Sequence, residues 1–147
     1  MIELLTLKAA CNTVLRAAFP TMKIYGPDSL EGLDRPSFYT EIVPYILEYQ
    51  TTNLVHLRVG YKVSLMEEAP DEERQLTIFA KIRKAFGLKL PVGKRRLSVR
   101  EVSSDYTGEK NDVFQTTVVI DWIDTIAQEE SYDLMLDIDV ETELKGD

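Results

Sequence analysis

Residues 55–65 read Val-His-Leu-Arg-Val-Gly-Tyr-Lys-Val-Ser-Leu. Val55, Leu57, Val59, Tyr61, Val63 and Leu65 alternate without a break against His56, Arg58, Gly60, Lys62 and Ser64. Successive side chains of a strand point to opposite faces, so the run predicts a strand buried on one side and wet on the other. A single wet face belongs to an antiparallel sheet, because the helical crossovers of a parallel sheet cover both faces. A second run has the same form, with Phe114, Thr116, Val118, Ile120 and Trp122 set against Gln115, Thr117, Val119 and Asp121.

Working back from residue 55, Ser37 to Val43 supplies β-formers and then meets Pro44. A proline there predicts an edge strand or a bulge, since a central strand would lose a ladder hydrogen bond. Met22–Tyr25 is a short strand closed by Gly26-Pro27-Asp28, and Ser29–Arg35 is a loop. Before it, Leu4, Leu7, Cys11, Val14 and Ala18 recur at spacings of three and four, one face of a helix that Pro20 ends. Cys11 lies inside that stripe and reads as a small core residue.

Working forward, Pro70 and three acids open a second helix, and Lys81, Arg83, Lys84 and Gly87 close it. Its expected buried stripe is Leu76, Phe79, Ile82 and Phe86. Pro91-Val92-Gly93 is a turn between short extended pieces, followed by a strand through Leu97 and Val99. Tyr106–Asn111 is a loop of hairpin character. The expected fold is α+β: a mainly antiparallel sheet with two helices packed on one face, in the order α-β-β-β-α-β-β, plus an acidic C-terminal segment. Residues 1–127 form one domain in this reading, and 128–147 an acidic extension. In the extension Leu134, Leu136, Ile138 and Val140 alternate with Met135, Asp137, Asp139 and Glu141, a pattern that either stays disordered under so much acid or adds as a strand to a sheet edge on the same chain or a neighbour.

The 147 residues carry a net charge of -8, unevenly spread. Residues 1–100 hold 15 Lys/Arg and 11 Asp/Glu, or +4; residues 101–147 hold 2 and 14, or -12. Residues 81–100 carry eight basic side chains and no acid. Such crowding fits either a plain solvated surface or an opposite-sign partner, within the chain or on another copy. Lys94, Arg95, Arg96 and Arg100, with Arg35, are therefore candidate contact residues, and Asp137, Asp139 and Glu141 are candidate counterparts.

Catalytic machinery is missing from the inventory. One histidine, His56, on a wet face, and one cysteine in a core stripe cannot assemble a nucleophile–base–orienter triad or a Cys/His zinc site. The seven glycines match neither phosphate-cradle spacing. Asp137-Ile138-Asp139 is thin evidence for a metal in a segment already rich in acid. No cofactor, catalytic residue or metal ligand is assigned. Without a span of roughly 18 apolar residues or a signal peptide, and with one cysteine, the chain is expected to lie off the membrane and to fold in a reducing cytoplasm.

Ile24-Tyr25, followed by Glu31-Gly32-Leu33-Asp34-Arg35-Pro36-Ser37-Phe38-Tyr39, resembles the tail terminator family of phages and defective prophages of Gram-positive bacteria. The alternating strand before a helix, the Phe86-Gly87-Leu88 helix end, the Val92-Gly93 turn and an acidic end with Glu129-Glu130 and Tyr132 extend the likeness over residues 1–140. The resemblance implies a non-enzymatic structural subunit of the virion, assembled in the host cytoplasm at the head-proximal end of the tail. It implies a ring of copies, commonly a hexamer, that ends tube polymerisation and offers a docking surface to the head–neck connector. The implied partners are other copies of the chain, the tail tube protein and the connector, with DNA met only as it passes the lumen. Gly32 and Pro36 would define the loop before the second strand. Another neck or head–tail joining subunit is the neighbouring reading. A nucleic-acid-binding or DNA-mimicking regulator is the reading from a different class, and duplex binding that survives physiological salt would favour it.

Overall fold

The computed structural model describes residues 1–27 and 34–126. Its elements are α1 (Leu4–Ala18), β1 (Ile24–Tyr25), β2 (Ser37–Tyr49), β3 (Leu54–Met66), α2 (Glu72–Phe86), β4 (Lys89–Val92), β5 (Arg95–Thr107) and β6 (Val113–Thr125). The strands form one six-stranded sheet in the order β1-β2-β3-β6-β5-β4. β1 pairs parallel with β2, and every other pair is antiparallel. The two alternating runs are neighbours at its centre, with Val59 opposite Ile120 and Tyr61 opposite Val118. The α+β class and the one-sided sheet read from the sequence are present, with one short strand more, β4.

β4 and β5 make a tight hairpin in which Val92 faces Arg95. Gly93 holds φ 59° at the first position of the two-residue turn, where a side chain would be strained. Pro44 has both features expected of it. β1 covers β2 only at Phe38 and Tyr39, leaving no described strand on the outer edge at Pro44, and the register slips between Pro44 and Ile46. The Arg35–Pro36 peptide is cis. Gly32 and the extension with Asp137, Asp139 and Glu141 lie outside the described residues.

Both helices cover one face of the sheet. Leu7, Cys11 and Leu15 of α1 and Ile78, Ile82 and Phe86 of α2 join the odd residues of β3, Val55 to Leu65, in one core. Phe19 and Phe38 meet edge to face at 5.0 Å, tying the end of α1 to β2. Two expectations for α2 need correction. Pro70 stands one residue ahead of the N-cap, Asp71, whose carboxylate accepts from the Arg74 N–H. The buried stripe is Gln75, Ile78, Ile82 and Phe86, and Leu76 points outward. Gln75 is tolerated inside because its amide donates to Glu67 Oε2 at 2.9 Å and accepts from the Tyr106 hydroxyl at 2.9 Å. A stripe drawn from apolar residues alone cannot find a glutamine satisfied in this way.

Cys11 is fully buried, and desolvation pushes its thiol up to about 12. A maleimide reagent at neutral pH is therefore expected to leave the native protein unlabelled and to react once denaturant opens the core. Rapid labelling of the folded chain would contradict this burial.

Candidate assembly surfaces

The basic stretch does not stay together. Lys94 occupies the exposed β4–β5 turn, and its neighbours leave in different directions. Arg95 turns back across the sheet: its guanidinium meets Asp124 Oδ1 at 2.9 Å and donates to the Ile123 carbonyl at 2.8 Å. Arg100 sits where the β5–β6 register slips, 3.4 Å from Asp121 Oδ2. Lys94 and Arg96 are exposed and have no ion-pair partner among the described residues. Arg35, also exposed, donates to the Glu67 carbonyl at 2.9 Å, joining the start of β2 to the turn before α2. Pro36 lines a cavity of about 400 Å³ with Phe19, Met22 and Ile78.

Two carboxylates of β6, Asp121 and Asp124, organise these charges. Asp124 is buried, 6% exposed, and accepts from the Ile2 N–H at 2.7 Å, the Thr125 N–H at 3.0 Å and the Trp122 indole at 3.3 Å. Burial pushes its pKa up, but those donors and Arg95 outweigh burial and hold it below the usual carboxylate value. Asp121 lies on the face opposite the helices, between His56 and Arg58, with Arg58 Nε at 3.0 Å. Desolvation again raises its pKa and the His56 and Arg58 contacts more than reverse that. Only Asp124 carried a sequence signal, an acid at the inward position that follows Trp122 in the alternation; Asp121 falls on the wet face, where an acid is ordinary.

His56 has the Asp121 carboxylate beside it. Among the described residues no serine, threonine or cysteine hydrogen-bonds it, and no group of three potential ligands could hold a metal. Its chemistry is that of a cross-strand ion cluster.

The surfaces left unfinished are the sheet margins. β4 pairs with β5 only from Arg95 to Ser98, and one further bond runs from the Val99 N–H to the Leu88 carbonyl. Beyond that point the outer edge of β5, to Thr107, has no described strand beside it. At the other margin no described strand lies outside β2 beyond Tyr39; Leu47 and Tyr49 along it are 50% and 62% exposed, while Tyr45 lies across Gly60 on the face away from the helices. Exposed apolar side chains beside such an edge make it a candidate contact surface.

A family model described as "Phage tail terminator protein" matches residues 6–132. No curated protein sequence matches the chain. A solved chain of the "Virion of native gene transfer agent (GTA) particle" aligns with a TM-score of 0.51 at 16% identity, over 82% of this chain and 95% of its own. A second solved chain aligns at 12% identity with a TM-score of 0.48, over 86% and 97%. At 16% identity the first alignment speaks to the fold alone.

Proposed function

Because the chain belongs to the phage tail terminator family, structural and non-enzymatic proteins of the virion tail, we propose that it closes the head-proximal end of the tail tube as a ring of about six copies. The ring ends polymerisation of the tube and gives the head–neck connector its docking surface. The observation that carries this reading is the unlike character of the two sheet margins. One margin exposes Leu47 and Tyr49; the other is a strand with no described neighbour on its outer edge, beside a basic helix end. A ring needs heterologous contacts, in which one surface of each copy meets a different surface of the next. Lys94 and Arg96, free of ion pairs with described residues, are the cations best placed to meet a neighbour or the tube, whereas Arg95 and Arg100 first serve their own chain.

Light scattering on purified protein, followed by electron microscopy with isolated tails, tests the proposal. The expected outcome is a closed ring in solution or at one tail tip, and tube growth that stops when the protein is added to polymerising tube subunits. A chain that stays monomeric in both settings and leaves tube length unchanged would overturn it.

A further inference from the structure

β5 begins where β6 ends. Arg95, the first residue of β5, meets Asp124 Oδ1 at 2.9 Å and donates to the Ile123 carbonyl at 2.8 Å, and β6 closes at Thr125. The described chain leaves the sheet one residue later, at Ile126, and so beside the β4–β5 turn that carries Lys94. The two acids of β6 at this end are already engaged, Asp124 by Arg95 and Asp121 by His56, Arg58 and Arg100. Lys94 and Arg96 stay exposed, and Arg96 points to the face opposite Leu97 and the core.

From Ile126 the chain continues as Ala-Gln-Glu-Glu-Ser-Tyr-Asp, and residues 127–147 hold eight Asp/Glu against one lysine. We propose that Glu129, Glu130 and Asp133 of the same chain cover Lys94 and Arg96 in the free subunit, and that assembly displaces them. Glu129 and Glu130 stand three and four residues past Ile126, so their main chain reaches at most about 10–14 Å from it. β5 lies beside β6, roughly 5 Å away across the sheet, and the Arg95–Asp124 contact keeps the two together at this end. The acids are therefore within reach of the turn.

The short tether decides for the chain's own acids over those of another copy. It holds Glu129 near the turn at an effective concentration on the order of millimolar, above a micromolar solution of free copies. Exposed ion pairs are individually weak and are screened by salt, so this cover yields to a surface that offers shape as well as charge. Lys94 and Arg96 are also the cations that a neighbour or the tube would meet in the ring, and the cover holds that contact back. Covering is independent of the ring, whereas its effect on assembly rests on the ring reading.

Zero-length carbodiimide cross-linking of the full-length protein tests the contact. Unlabelled and heavy-isotope-labelled chains are unfolded together in urea, refolded as a dilute one-to-one mixture checked by circular dichroism, cross-linked, digested and read by mass spectrometry. Lys94 is expected to join Glu129, Glu130 or Asp133 within one isotope. Its yield should be at least fivefold that of Lys110, which sits on the β5–β6 loop at the far end of the sheet, with the same acids. Arg96→Ala should lower the Lys94 yield at least threefold, because two cations hold the acids better than one. In a separate assay by light scattering, the full-length chain with Glu129→Gln and Glu130→Gln should assemble at a concentration at least threefold below the parent's.

Mixed-isotope links overturn the cover by the chain's own acids and assign it to a neighbouring copy. A Lys94 yield no higher than that of Lys110, or one untouched by Arg96→Ala, shows a segment that is merely nearby and overturns the contact. Same-isotope links with parental assembly of the Gln variant keep the contact and overturn its hold on assembly. A parent that never assembles, in solution or on tails, overturns the ring and that hold with it, and the cross-links still decide the contact.

Discussion

Replacing Tyr61 by alanine is expected to lower the free energy of unfolding by about 3–5 kcal/mol, the range for deleting a large aromatic side chain from a packed core. Tyr61 has no exposed surface and stands at the middle of β3, the strand flanked on both sides by long antiparallel partners. Its ring packs against Phe86 of α2 at 5.9 Å, and its hydroxyl donates to Asn12 Oδ1 on α1. One side chain thus ties the sheet to both helices. Burial raises the phenol well above its ordinary pKa, which keeps it a neutral donor at any pH the fold survives. Tyr61→Phe keeps the ring and removes only that bond, and about 1 kcal/mol is expected, since Asn12 retains the Thr40 hydroxyl at 3.4 Å. Urea unfolding at one fixed protein concentration measures both, because assembly would itself shift the midpoint. Equal losses for the two variants would show that the hydrogen bond, not the packing, anchors the helices.

The same residue shows what the sequence made legible. Tyr61 belongs to an alternation of six apolar residues, and a period of two that long has one structural solution on a sheet with one wet side. β3 and β6 were readable for that reason, and so was α1, from its apolar stripe and the stop at Pro20. β5 was readable only in part. Its inner face carries Leu97, Val99 and Val102, and the bulge at Arg100 shifts the period between the second and third of these. A strand of 13 residues therefore shows as a fragment of three or four. Gln75 defeated the pattern in α2 because its partners, Glu67 and Tyr106, lie 8 and 31 residues away and only tertiary structure brings them within bonding distance.

Charge was legible in amount and not in destination. Eight cations without an acid in residues 81–100 predicted opposite-sign partners, but the count cannot say which. Strand pairing decides it. Ser98 faces Asp121 across the β5–β6 ladder, which brings Arg95 beside Asp124 and leaves Lys94 on the turn. The family resemblance had a firmer basis, because a glycine, a proline and an aromatic pair at fixed spacing describe a local conformation that sequence alone can record.

Asp124→Ala is expected to cost about 2–4 kcal/mol, less than the loss of Tyr61 but with a signature of its own. The variant removes the acceptor of four donors at once: the Ile2 N–H that leads into α1, the Trp122 indole in the core, the neighbouring Thr125 N–H, and Arg95 on the β4–β5 hairpin. Arg95 is partly exposed and turns to water, which keeps the cost below that of a fully buried pair. The indole and the Ile2 amide have less recourse. Asp124→Asn preserves the shape and a neutral acceptor, so roughly half the loss is expected, in line with the weaker bonds of an uncharged oxygen. The sign of the pH dependence follows from the depressed pKa. The folded carboxyl releases its proton more readily than the unfolded one, so its stabilisation is complete above the unfolded value, about 3.9, and fades as pH falls through the lower folded value. Unfolding followed from pH 7 to pH 2 should show the parent and the Asn variant converging at the acid end, with Asp121 contributing a similar slope to both. A constant gap between them at every pH would mean that Asp124 acts through shape alone and that its charge does not hold the N-terminus to the sheet.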